Sequence, residues 1–237
     1  MKLNYKVLGD GSKTLLFLHG WGCDHKVFNN LIGDLKYDYR VINLDLMGFG
    51  ESELNERISD IYSYALELYL FLKQNNFEKI TIIAHSFGGR LALILASLFD
   101  IKIENLILIG CAGIRPKRSL VYYAKVYKYK FLKKLKQIGF KNIDLDKYGS
   151  TDYKNLSKEM KALFVNVVNQ DLTWLLKYIS NKTIIVFGEK DKQTPIYMAK
   201  NLHKKISDSE LYILKNCGHF CFVEEDRKVL NIIKNSV

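Results

Sequence analysis

Three side chains of this sequence could together carry out nucleophilic catalysis. Ser86 lies in Ala84-His85-Ser86-Phe87-Gly88-Gly89, a serine among small residues. His219 lies in Gly218-His219-Phe220 and Asp191 in Gly188-Glu189-Lys190-Asp191. A serine hydroxyl is a poor nucleophile until a neighbouring imidazole takes its proton. The imidazole in turn needs a carboxylate to fix its tautomer and stabilise its charged form. The oxyanion formed on attack needs two pre-aimed N–H donors. Phe87 N–H follows the serine at a helix start. The loop His19-Gly20-Trp21-Gly22 offers the second donor, most simply Trp21 N–H.

Other residues compete for these roles. His19 and His85 adjoin motif residues and read as structural, while His25 and His203 fall on expected helices among polar neighbours and read as surface. His219 alone sits in a loop after the last expected strand. For the acid, Glu189 lies nearer its strand, and Asp45 reads as a brace for the loop through Gly48 and Gly50. Each motif also has a plainer reading, in which Ser86 marks a tight strand-to-helix connection and His19 to Gly22 an ordinary glycine turn.

The elements that must position these groups are legible around them. Glu78 to Ile83 is a short β-branched run, as expected of a strand buried on both faces, and Leu91 to Ala96 has helix propensity and no breaker. The turn between them is one residue away from Gly-x-Ser-x-Gly, the strained elbow that exposes a serine Oγ at a strand tip, with Ala84 replacing the first glycine. Further strands are expected at Leu3–Leu8, Thr14–Leu18, Arg40–Asp45, Asn105–Ile109, Lys182–Phe187 and Leu211–Leu214, with helices over 25–36, 60–74, from the Leu91 run to about 99, over 195–206 and in the closing segment. This alternation predicts a mostly parallel sheet with helices on both faces. Residues 115–170 break it, with helical stretches at Val121–Leu135 and Ser157–Val168 and no strand. The expected organisation is a core of 1–114 and 171–237 with an all-helical cap inserted over the strand ends, where open α/β folds place their sites.

Five motifs, His19-Gly20-Trp21-Gly22, Asp45-Leu46-x-Gly48-x-Gly50-x-Ser52, Ala84-x-Ser86-x-Gly88-Gly89, Gly188-x-x-Asp191 and Gly218-His219-Phe220, resemble in this order the α/β-hydrolase fold superfamily. The resemblance covers the chain apart from the cap. It implies an eight-stranded core, Ser86, Asp191 and His219 as catalytic residues, and Trp21 and Phe87 as oxyanion donors. A serine rather than an aspartate nucleophile argues against haloalkane dehalogenases and epoxide hydrolases. The expected activity is hydrolysis of a small or medium carboxylic ester. Alternatives are carbon–carbon cleavage or elimination on an anionic carbonyl substrate, and a non-catalytic receptor on a hydrolase core. Ser-x-Gly-Gly-Arg is similar to the menaquinone-pathway cyclohexadiene-carboxylate synthase, where arginines meet substrate carboxylates, although Arg90 also reads as a brace of the sheet. Gly20, Arg90, Tyr122 and Tyr123 are candidate substrate contacts. The aromatic side of the helix carrying Tyr122, Tyr123, Tyr127, Tyr129 and Phe131 is expected to wall an apolar pocket over the site.

Composition sets the remaining bounds. The 237 residues are 48% hydrophobic, suiting one domain with an insertion. No window is long and apolar enough to span a membrane and the start lacks a signal-peptide core, so a cytoplasmic protein is expected. Cys23, Cys111, Cys217 and Cys221 are scattered, and free thiols are expected rather than a zinc site. Neither cofactor nor metal is expected, and the partner is a small molecule. Net charge is +11, of which ten basic residues between Arg115 and Lys141, with no acid among them, supply nearly all. That segment reads first as a solvated surface, then as a field that draws an anionic substrate, and last as contact with an anionic membrane or nucleic acid.

Overall fold

The structure is a computed structural model that describes residues 3–118, 120–140, 156 and 158–237. Ser119, residues 141–155 (with Lys141 of the basic segment) and Ser157, where the expected second helix begins, lie outside the described residues.

Seven strands form one sheet: β1 (Tyr5–Leu8), β2 (Thr14–Leu18), β3 (Arg40–Leu44), β4 (Ile80–His85), β5 (Ile103–Ile109), β6 (Lys182–Gly188) and β7 (Ser209–Leu214). Their order is β1-β3-β2-β4-β5-β6-β7, all parallel except β1, which pairs antiparallel with β3. The resemblance implied eight strands, whereas the described residues hold the seven that the apolar runs mark. Burial follows position. Every residue of central β4 is buried, while edge strand β1 has three exposed residues of four. A parallel strand covered on both faces has no polar side to show.

The core unit comprises residues up to Arg115 and from Asn166 onwards; residues 116–165 form a second compact unit. In the core unit, α1 (Asn29–Leu35), α2 (Ile61–Gln74) and α3 (Phe87–Leu98) precede the insertion, and α6 (Ile196–Lys205), α7 (Cys221–Glu224) and α8 (Asp226–Ser236) follow it. Between them lie α4 (Leu120–Gln137) and α5 (Lys158–Asn169), the latter running across the boundary into the core unit. Leu31, Ile32 and Leu35 of α1 and Val229, Leu230 and Ile233 of α8 share one apolar cluster with Leu15, Phe17, Ile83, Ile107 and Val186. Alternate strand residues point the other way, and α2, α3 and α6 cover that face. Each fully buried aliphatic side chain contributes about 1.5–3 kcal/mol, so these two layers hold the sheet that carries the site.

Candidate active site

The candidate site lies where β4, β6 and β7 reach their C-terminal ends, with β5 between the first two. Ser86 follows β4 directly, with φ +49° and ψ −107°, a backbone conformation that side-chain-bearing residues rarely adopt. Three backbone hydrogen bonds hold it there: Ser86 N–H donates to Ile109 O, and Gly89 and Ala112 N–H donate to Ser86 O, each at 3.1 Å. Helix α3 begins immediately after and comes so close to β2 that a Cβ on Gly88 would lie 2.3 Å from Leu18 O. Only glycine fits there. Ala84 is fully buried between Leu18 and Leu108, which explains a small residue two places before the serine.

Asp191 sits in the turn after β6 and His219 in the loop after β7. The imidazole Nδ1 lies 2.7 Å from Asp191 Oδ2, and both side chains are buried. Thr194 Oγ1 donates to the same Oδ2 at 2.7 Å, while Gln193 and Thr194 N–H groups donate to Oδ1 at 2.8 and 2.9 Å. Burial pushes the Asp191 carboxyl up, but these bonds from His219 and Thr194 outweigh it and hold the group below its ordinary range. The carboxylate therefore stays charged and keeps the imidazole proton on Nδ1, which leaves Nε2 as the acceptor nitrogen. The ring lies against Gly110, where a Cβ would stand 3.3 Å from Nδ1. Ser86 is half-buried, and its Oγ makes no hydrogen bond among the described residues. Such bonds commonly tighten only with substrate in place.

His85 links the two loops. Its Nε2–H donates to His219 O (3.2 Å), and its ring packs against those of His219, Phe220 and Phe222 at 4.7, 5.0 and 4.8 Å between centroids. Burial and then repulsion from His219 press its pKa down to about 3, so it is a neutral ring. Nδ1 has no partner. Neither His85 nor Thr194 stands out in the sequence as part of the site; a threonine preceding Pro195 at a helix start was the only available signal.

The loop after β2 approaches from the other side. A Cβ on Gly20 would lie 3.4 Å from Ser86 Cβ and 2.8 Å from His85 Nδ1, which only glycine permits. The Trp21 ring meets Phe87 and Phe49 edge-on at 5.1 and 4.9 Å. Phe87 N–H, first in α3, makes no hydrogen bond among the described residues. His19 is buried beneath this loop, donating from Nδ1 to Gly20 O (2.8 Å) and accepting Leu46 N–H at Nε2 (2.9 Å).

The remaining candidates are placed as follows. His25 is buried rather than on the surface: its Nδ1 lies 2.7 Å from Asp45 Oδ1, and its polar sequence neighbours conceal that pairing. Asp45 also accepts from His25 N–H, Asn4 Nδ2 and Glu51 N–H, which together overcome its burial and hold its pKa down to about 2. Asp24, His25 and Asp45 are the one group of three potential metal ligands among the described residues, but Asp45 is fully engaged in bracing the loops. Arg90 is buried and donates to Gln170 O (2.8 Å) and Val168 O (3.4 Å), and its burial lowers its pKa to about 10. Tyr122 and Tyr123 lie on α4 in the second unit, stacked edge to face at 5.7 Å and 38% and 43% exposed. The aromatic wall expected from that helix is exposed also at Tyr127 and Phe131. All four cysteines are free thiols. An open cleft of about 620 Å³ separates residues 22–27 from 48–50, and none of Ser86, Asp191 or His219 lines it.

The chain is similar to two curated relatives and a solved structure along nearly its whole length. It is 25% identical to a 2-hydroxy-6-oxo-6-(2'-aminophenyl)hexa-2,4-dienoic acid hydrolase of Metapseudomonas resinovorans, over 98% of this chain and 86% of the relative. It is also 25% identical to the pimeloyl-[acyl-carrier protein] methyl ester esterase of Wigglesworthia glossinidia brevipalpis, over 97% and 95%. A lipase-esterase related protein from Clostridium acetobutylicum superposes with a TM-score of 0.76 at 26% identity, covering 99% of both chains. Residues 13–133, which hold β2 to β5, the Ser86 turn and α3, match the family model of the alpha/beta hydrolase fold, and the chain belongs to that family of hydrolases.

Proposed function

We propose that this protein is a serine hydrolase acting on small or medium carboxylic esters. The observation that carries this reading is the 2.7 Å contact between His219 Nδ1 and Asp191 Oδ2 at the same sheet edge as the strained Ser86. In the proposed reaction Ser86 Oγ attacks the ester carbonyl while His219 Nε2 takes its proton. The oxyanion is held by the Phe87 and Trp21 amides, each contributing about 3–4 kcal/mol of barrier stabilisation. The proton passes from His219 to the departing alcohol, and the acyl group remains on Ser86. Water, deprotonated by His219, then releases the acid. Asp191 stays ionised throughout and stabilises the imidazolium. The likeness to the Wigglesworthia esterase supports this class of substrate.

A second reading, hydrolysis of a carbon–carbon bond beside a carbonyl, is supported by the likeness to the Metapseudomonas hydrolase. Short-chain p-nitrophenyl esters separate the two. Turnover by the wild type that falls on the order of 10⁶-fold in Ser86→Ala is the expected result. No turnover, with a fluorophosphonate probe still labelling Ser86, would favour carbon–carbon cleavage. Folded protein that neither turns over nor labels would overturn both.

A further inference from the structure

Helix α4 has eighteen residues and not one of them is buried. At 100° per residue, Leu120, Ala124, Tyr127 and Phe131 fall on one stripe, and Leu120, Tyr127 and Phe131 are 88%, 69% and 63% exposed. The half-buried residues Val126, Tyr129 and Leu132 lie on the opposite side. The helix thus has two apolar sides, and the barer one faces solvent. Amphipathic helices ordinarily turn their polar side to water, and an exposed apolar stripe this long marks a contact surface.

The rim of the stripe indicates its occupant. Lys128 and Lys134 flank it on either side, Lys130 stands beside Lys134, and no carboxylate occurs from Arg115 to Lys141. Stacking this face on that of a second copy would bring lysines against lysines. An anionic bilayer instead takes rings and aliphatic groups at its headgroup boundary while lysine stems extend their ammonium groups to the phosphates. Tyrosine is at home at that depth. We propose that α4 docks in the plane of an anionic phospholipid surface, with Leu120, Tyr127 and Phe131 inserted and Lys128, Lys130 and Lys134 on lipid phosphates.

Co-flotation of the full-length protein with vesicles tests this. One set would be phosphatidylcholine alone and the other would hold about one third phosphatidylglycerol. Flotation is expected only with the anionic vesicles at about 50 mM salt, with release at about 500 mM. Each lysine carries about fivefold in affinity, so Lys128→Gln/Lys130→Gln/Lys134→Gln should lose more than tenfold. Tyr127→Ser/Phe131→Ser, with an unchanged circular dichroism spectrum, should lose at least tenfold while keeping every charge. Three results would overturn the proposal. One is no flotation with anionic vesicles at low salt. Another is undiminished binding by the Tyr127→Ser/Phe131→Ser variant, which would leave only the general charge of the protein. The third is a dimer in sedimentation that this variant dissolves, which would assign the stripe to a second copy.

Discussion

At the scale of single residues, the chemistry depends on which histidine nitrogen holds which proton. Five histidines are present, and four of them are buried, three with their hydrogen bonds made to backbone groups or to Asp45. In the proposed mechanism only His219 has Nε2 available as a base, because Asp191 holds the proton on Nδ1. His85 belongs to the same arrangement through the main chain, since its Nε2–H on His219 O ties the base's loop to the residue beside the nucleophile. Removing that bond costs on the order of 1 kcal/mol locally, but small displacements of a catalytic group cost up to about 100-fold in rate. His85→Leu is therefore expected to lower kcat for p-nitrophenyl esters by about 10- to 100-fold with little change in KM, while His85→Gln, which keeps an amide donor, recovers part of it. Equal kcat in His85→Leu and the wild type would show that the bond positions nothing. The role of His85 was illegible in the sequence because its partner lies 134 residues away.

At the scale of elements, α3 does two jobs from one short run of residues. Its first turn brings the Phe87 amide to the site, and one turn later Arg90 takes hold of the chain where it re-enters the core unit, through the carbonyls of Val168 and Gln170. Leu172 N–H, bonded to Gly113 O at 2.9 Å, ties that returning chain to the outgoing one. Arg90→Met keeps the stem's packing but leaves two half-buried carbonyls without their donor, at about 1 kcal/mol each. The expected outcome is a lower urea midpoint with an unchanged slope, and KM values that rise no more for anionic than for neutral esters. A selective rise for anionic esters would return Arg90 to the substrate. The spacing of Ser86 and Arg90 allowed both roles, and the choice between them depends on a segment 80 residues further on.

At the scale of the whole molecule, charge and burial are unevenly shared. The core unit encloses the sheet between two helical layers, whereas α4 in the second unit buries nothing and carries six lysines within eighteen residues. Segments with few buried contacts open first, and trypsin cuts after lysine where the backbone opens. Limited trypsin digestion is expected to make its first cuts between Lys125 and Lys136, ahead of the many other basic residues of the chain. Mass spectrometry of the early fragments reads the result, and first cuts in the core unit would show that α4 is held as firmly as the sheet. Among the described residues no helix is long and apolar enough to cross a membrane.

The sequence by itself determined the elements, their alternation, the location of the excess charge, and the order of serine, acid and histidine along the chain. These follow from local rules: apolar periodicity, small residues at a tight turn, and a strand end that presents the next side chain. The tertiary structure alone decided the partnerships. It drew His25 inward to Asp45, set Thr194 on the Asp191 carboxylate, gave Arg90 to two backbone carbonyls, and turned the stripe of Leu120, Tyr127 and Phe131 to solvent. A hydrogen bond between residues far apart in the chain depends on how whole layers pack, and periodicity within one segment carries no record of that packing.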